Sequence, residues 1–471
     1  MKSIVALVVL SGVSACTAGV HQPASTVAPS GMDGGVPTAA LGRLVFIDGD
    51  GQLAVNDVGS GPGTPFHIAA ALVMDPVLSL DGREVVMGAL SSSGLGLVVL
   101  DLKSGITRAI AAPIGREVLE LTWGAGGFLL ERTDDAATGR SVYFAVAAGA
   151  SKGRLIATTG ATDEARPDPF DQATPRLVVS RCAGGLDTPD CPQELVIESA
   201  AGDTSETVAS GAQYQQPQFT PDGRFLVTFE RPSSAGAWHL VRREIGAGPA
   251  GSALDLGPAT PEPNDAPTGL SYLSPTGGEV IAVRGGGEYG QPTPMFAVRT
   301  DGGGERQIAT NFSGVVGFST AGDVVYTVES VSGPTDTPTI SAQLWLARGD
   351  RRRQLTASLQ CDHLTVSPSG GAAAWRCLDG VRFLSLEDGA SLLPTAPAPT
   401  SAVAWYAYDI LGVDGQGNGV LVTSPSTASN LPANIREISY WAGTGPPALL
   451  GRSASFQLDG FPAGTPASYR P

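Results

Sequence analysis

The sequence predicts an all-β protein built as a closed ring of small four-stranded antiparallel sheets, and three observations carry that prediction. Apolar runs such as Leu44-Val45-Phe46-Ile47 are short. No stretch after the first sixteen residues sustains a 3.6-residue apolar period, which removes amphipathic helices from the reading. Hairpin turns of one kind recur along the chain at intervals of roughly 45 residues, the length of a four-stranded unit.

The composition agrees with many turns around a substantial core. The chain has 471 residues, of which 62 are Gly and 36 Pro, with no every-third-residue period of the collagen kind. Hydrophobic residues make up 42%, enough to bury a large core and to exclude wholesale disorder. The formal charge of −16 opposes encounter with nucleic acid, so no nucleic-acid partner is expected. Arg351-Arg352-Arg353 is a local exception and reads as a solvated turn or strand end. Arg348-Gly349-Asp350, just before it, spells an adhesion tripeptide too short to carry a function.

The first residues read as an export signal. Met1-Lys2 supplies a positive charge, and Ser3 to Val13 is an apolar run too short to span a bilayer as a permanent helix. Val13-Ser14-Ala15-Cys16 resembles a bacterial lipobox, in which small residues admit the peptidase and a cysteine thiol receives diacylglycerol. The resemblance implies that residues 1–15 are removed and that Cys16 becomes a lipidated N-terminus. It also implies a membrane partner through that lipid. Thr17 is not the aspartate associated with inner-membrane retention, so the implied location is the outer membrane if the organism has one, otherwise the outer face of the cell membrane. Residues 16–40 are rich in Ala, Ser, Thr, Gly and Pro and read as anchor and flexible tether.

The repeat is clearest at Pro217-Gln218-Phe219-Thr220-Pro221-Asp222-Gly223-Arg224-Phe225-Leu226-Val227, a strand, a tight turn and a second strand. It recurs around Leu80-Asp81-Gly82 and around Ser274-Pro275-Thr276-Gly277. Weaker copies turn at Gly126, Gly322 and Ser367-Pro368-Ser369-Gly370, and around Gly415 to Gly419, while Phe170 to Val179 fits with its glycine missing. Third strands follow, as in Leu97 to Leu102, Glu194 to Ile197 and Gln343 to Leu346. Eight hairpins are traceable, and the strand set at 41–69 lacks its own first strand. A β-propeller of eight blades is the expectation, with seven the alternative count. Residues 41–455 form the propeller in this reading, and 456–471 are a C-terminal tail or a closing segment in a blade shared by the two chain ends.

Ser-Pro-Asp-Gly followed by an apolar strand is the motif of the TolB-like, or PD40, subclass of WD40-type propellers, and the chain resembles that subclass from about Leu41 to Arg452. The resemblance implies a fold shared by proteins of many functions. TolB carries a mixed α/β domain ahead of its propeller, and residues 17–40 are too short and too polar to be one.

Five cysteines fit one lipidated residue plus two pairs in an exported chain. Cys361 and Cys377 lie equally far from residue 369, so a hairpin centred there places them opposite each other. Cys182 and Cys191 flank the connection from Ala183 to Asp190. Both pairs are disulfide candidates.

No catalytic set is legible. The four histidines, His21, His67, His239 and His363, show no ligand spacing, and no metal or cofactor is expected. Gly285-Gly286-Gly287-Glu288-Tyr289-Gly290 runs into Pro292 and Pro294 and cannot open the helix a dinucleotide needs. Gly317-Phe318-Ser319 lacks the last glycine of a hydrolase elbow. Asp414 to Gly419 lacks the closing bidentate glutamate of a calcium loop and reads as a turn. Two functions follow: a cell-envelope lipoprotein presenting the propeller as a scaffold for an envelope protein or small ligand, or a hydrolase or lyase acting on a carbohydrate or lactone in the central channel. The scaffold is the preferred reading.

Overall fold

The computed structural model describes residues 43–459, apart from connecting segments that include 111–117, 183–190, 260–270, 285–292, 333–338, 398–407 and 424–435. Among the described residues the regular structure is thirty-six strands, and neighbouring strands pair antiparallel. Short runs of alternating or fully apolar residues separated by glycine turns pair most readily with what lies next in sequence, which is why most strands join a sequence neighbour.

The strands fall into nine four-stranded sets among the described residues. Arg43–Ile47, Leu53–Asp57 and Thr64–Phe66 form three strands of the first, and Ser455–Asp459 supplies the missing innermost strand, with Arg43 opposite Asp459. In the second set the innermost strand is in two pieces, Ala71–Leu72 and Val77–Leu78, both paired with Glu84–Ser91. The fourth and fifth sets share one long strand, Ser205–Phe219, whose first half pairs with Gln193–Ser199 and whose second half pairs with Phe225–Arg231. Gln216, at φ 50°, sits in the register break between Gln215 and Gln218. This arrangement corrects the expected count of eight. All eight hairpins open their own sheets, and the terminal unit is a ninth sheet completed by the C-terminal strand.

The hydrophobic core lies between sheets. Val45, Leu53 and Val55 of the first sheet pack on Leu78, Val85 and Met87 of the second, and Val86 and Val99 of the second on Trp123 and Phe144 of the third. The same alternation continues through Tyr143 and Val179, Val178 and Phe219, Phe229 and Val280, Ile281 and Val324, and Val325 and Trp375. Tyr408–Val413 of the ninth sheet lies beside Ser455–Asp459 of the first, which lies beside Val77–Leu78 of the second. The ring therefore closes through the C-terminal strand.

The recurring turn motif has a physical basis. Ser79, Thr220, Ser274 and Ser367 are buried, and each hydroxyl accepts the backbone N–H five residues on, from Glu84 at 2.9 Å, Phe225 at 3.1 Å, Glu279 at 3.2 Å and Ala372 at 2.9 Å. Gly223 adopts φ 66°, in the left-handed region that glycine tolerates best. Close approach fixes another glycine, since a Cβ on Gly317 would stand 2.4 Å from Val366 Cγ2 on the adjacent inner strand.

Thr220→Val keeps the side-chain shape and removes the hydroxyl that holds the Phe225 N–H. It is expected to lower stability by about 1–3 kcal/mol, the cost of a buried unsatisfied group. Denaturant unfolding of this variant and of Ser79→Ala, at unchanged m-value, checks it.

Candidate binding face

Antiparallel order sorts the connections to two ends of the ring. The first-to-second and third-to-fourth strand turns lie at one end and are short, as at 220–224, 274–278, 300–304 and 387–390. The second-to-third and sheet-to-sheet connections join strand ends at the other end; some are as short as 92–93 and 378–379, but the longest in the chain, 183–192, 259–270, 284–294, 398–407 and 424–435, are all among them. Long connections on a rigid frame are where binding residues concentrate, so this loop end is the candidate site.

Both disulfides are at the loop end. Cys182, at the end of Arg176–Cys182, is bonded to Cys191, just before Gln193–Ser199. Cys361 and Cys377 stand opposite each other where the hairpin of the eighth sheet opens, and are bonded with Cα atoms 3.9 Å apart. All four are buried. Each closes two strand ends against one another.

Arginine side chains order the described part of this end. Arg231 donates to Gln213 Oε1 at 2.7 Å and lies 5.0 Å above the ring of buried Trp238. Arg284, itself buried, pairs with Glu305 at 2.9 Å through Nη1 and lies 4.4 Å above Phe296. His239 Nδ1 is 2.9 Å from an Asp255 carboxylate oxygen. Planar guanidinium groups suit these sites because they can bond in plane and stack on a ring together. Within the fifth sheet Arg243 makes two bonds to buried Glu230, at 2.6 and 2.7 Å. Burial pushes the Tyr214 hydroxyl up to about 12, Glu230 beside it adds to the shift, and Arg243 opposes it.

Of the residues singled out from sequence, Gly82, Pro221, Asp222, Gly223, Pro275 and Gly277 occupy turns at the short-turn end. Cys16, His21, His67, Asp81, Pro368 and Gly370 lie outside the described residues, as do 285–290 and 414–418. Arg351–Gln354 is an exposed outer strand of the seventh sheet. Arg352 donates to Ile308 O at 2.9 Å in the sheet before and Arg353 to Leu386 O at 3.2 Å in the sheet after, so the triplet clips three sheets together. Sequence reasoning missed the arginine–aromatic contacts. Their only trace was charge inside strand segments, as in Glu230-Arg231 and Arg242-Arg243-Glu244.

No family model matches the chain, and no curated protein matches it. Solved structures do. A eukaryotic initiation factor aligns at TM-score 0.56 and 10% identity, over 88% of this chain and 97% of that one. TolB from Acinetobacter baumannii aligns at TM-score 0.31 and 15% identity over 57% of this chain, which spans 63% of the length of that TolB chain. An oligogalacturonate lyase from Vibrio parahaemolyticus aligns at TM-score 0.39 and 11% identity, over 73% of this chain and 95% of that one. At such identities likeness shows the fold alone, and the chain is an all-β propeller.

Two predictions follow from the geometry of this face and the sheet behind it. Replacing Cys361 and Cys377 together by Ser is expected to lower stability by about 3 kcal/mol, the loop-closure value for a ring of this size, read by denaturant unfolding with and without reductant. Tyr214 ionises at higher pH in the folded chain than in the unfolded one, so its contribution is complete below about pH 10 and is lost as pH rises toward 12. Ultraviolet titration compared with Tyr214→Phe isolates this tyrosine, and unfolding measured over the same range should be less pH-dependent in the variant.

Proposed function

We propose that the protein is an exported, lipid-anchored scaffold of the cell envelope that binds a partner protein or small ligand through the loop end of its propeller. The supporting observation is the division of labour between the two ends. One is made of short turns tied by buried hydroxyls, and the other carries the longer connections and both disulfides. A frame that is fixed at its base and stapled where loops depart can vary loop sequence without losing the fold. The apolar run of residues 3–13, the Val13-Ser14-Ala15-Cys16 segment and the Ala-, Ser-, Thr- and Pro-rich residues that follow support export and lipidation at Cys16.

Capture from native membranes with the full chain and with Cys16→Ser tests this reading. One stable partner recovered at tenfold or greater enrichment with the full chain, and lost with Cys16→Ser, is the expected result. Substrate turnover by the isolated protein, with no partner enriched, would favour the hydrolase or lyase reading. Mass spectrometry of the mature N-terminus supplies the independent check, a diacylglyceryl group on Cys16.

A further inference from the structure

The direction of the first strand says which end of the ring the tether reaches. In the second to ninth sheets the second strand begins immediately after the short turn and runs toward the loop end, as Phe225–Arg231 does after Gly223. Arg43–Ile47 is the second strand of the first sheet, since it pairs with innermost Ser455–Asp459 on one side and with Leu53–Asp57 on the other. Arg43 stands opposite Asp459. The chain therefore enters and leaves the ring where every other sheet has its short innermost turn, close to the axis and at the end opposite both disulfides.

We infer that the short-turn end faces the anchoring membrane and that the loop end is held toward the aqueous space, so that its partner approaches from solution and not from within the anchoring bilayer. The inference rests on lipidation at Cys16 and deepens the scaffold reading. Between Cys16 and Arg43 lie 26 residues, 17–42, and a Gly- and Ser-rich coil of that length has a root-mean-square reach of about 25–30 Å. That suffices to stand the base off the membrane. Turning the loop end to the membrane would require the segment to cross roughly 15–20 Å of blade, four strands wide at ~4.8 Å spacing, and then to climb the ~20 Å length of a strand. That path is longer than the root-mean-square reach, though within the roughly 85 Å of the fully extended segment, so turning the loop end to the membrane stretches the segment and costs chain entropy.

The full chain, isolated in its membrane-anchored form, tests this with a dye on Lys103→Cys or on Thr310→Cys, in vesicles of phosphatidylethanolamine and phosphatidylglycerol carrying acceptor lipid. Both positions are exposed. Lys103 lies in a third-to-fourth strand turn and Thr310 follows the outer strand Glu305–Ala309 at the opposite end. The two disulfides leave no thiol there to compete for the dye. Energy transfer to the bilayer at least twofold greater from position 103 than from 310 is expected. Equal transfer, or greater transfer from 310, in protein that floats with the vesicles overturns the orientation alone. Protein that fails to float with vesicles overturns lipid anchoring, and the orientation with it.

Discussion

The structure depends on apolar burial between neighbouring sheets. A four-stranded sheet of this size offers two faces and can cover neither by itself, so each becomes stable only against the next. The core accordingly alternates around the ring, from Val45 and Val85 through Val86 and Phe144 to Val325 and Trp375. A linear stack of such sheets would leave two uncovered faces and two open ends. Closing the ring with Ser455–Asp459 beside Arg43–Ile47 removes them.

That closure separates two kinds of reinforcement. At the short-turn end the backbone is satisfied locally, because a buried Ser or Thr hydroxyl takes the N–H five residues on and a left-handed glycine turns the chain. Polar groups at the loop end find partners over longer sequence distances. Arg231 and Arg284 reach Gln213 and Glu305 on other strands, and two disulfides hold strand ends together. Side-chain ties of this kind survive changes in the connecting segments more easily than a fixed turn geometry does.

Polar clips between sheets also give several arginines of this acidic chain a structural role. Arg176 bonds the Asp168 carboxylate at 2.8 Å and the Gly223 carbonyl at 2.7 Å in the next sheet. Arg154 bonds both Glu198 and the Ser199 carbonyl across the third and fourth sheets, and Arg352 and Arg353 do the same around the seventh. A guanidinium group carries several donors in a plane on a long stem, so it can satisfy a carboxylate and a carbonyl on different sheets at once. The Arg351–Arg353 run is thus part of the frame.

The sequence by itself determined the all-β class, the turn chemistry and the repeat, because short apolar runs and Ser/Thr-Pro-Asp-Gly turns are local properties of a few consecutive residues. It also paired the cysteines correctly, since a hairpin's register follows from the position of its turn. Only the tertiary structure decided the number of sheets, which required knowing that residues 455–459 complete the first sheet across more than 400 positions of chain. It likewise decided that Arg231 meets Trp238, that Arg243 meets Glu230 beside Tyr214, and that Arg43 and Asp459, where the chain enters and leaves the ring, lie at the end opposite the disulfides. Those outcomes depend on which strands become neighbours and in which direction they run, and distance along a sequence does not carry that information.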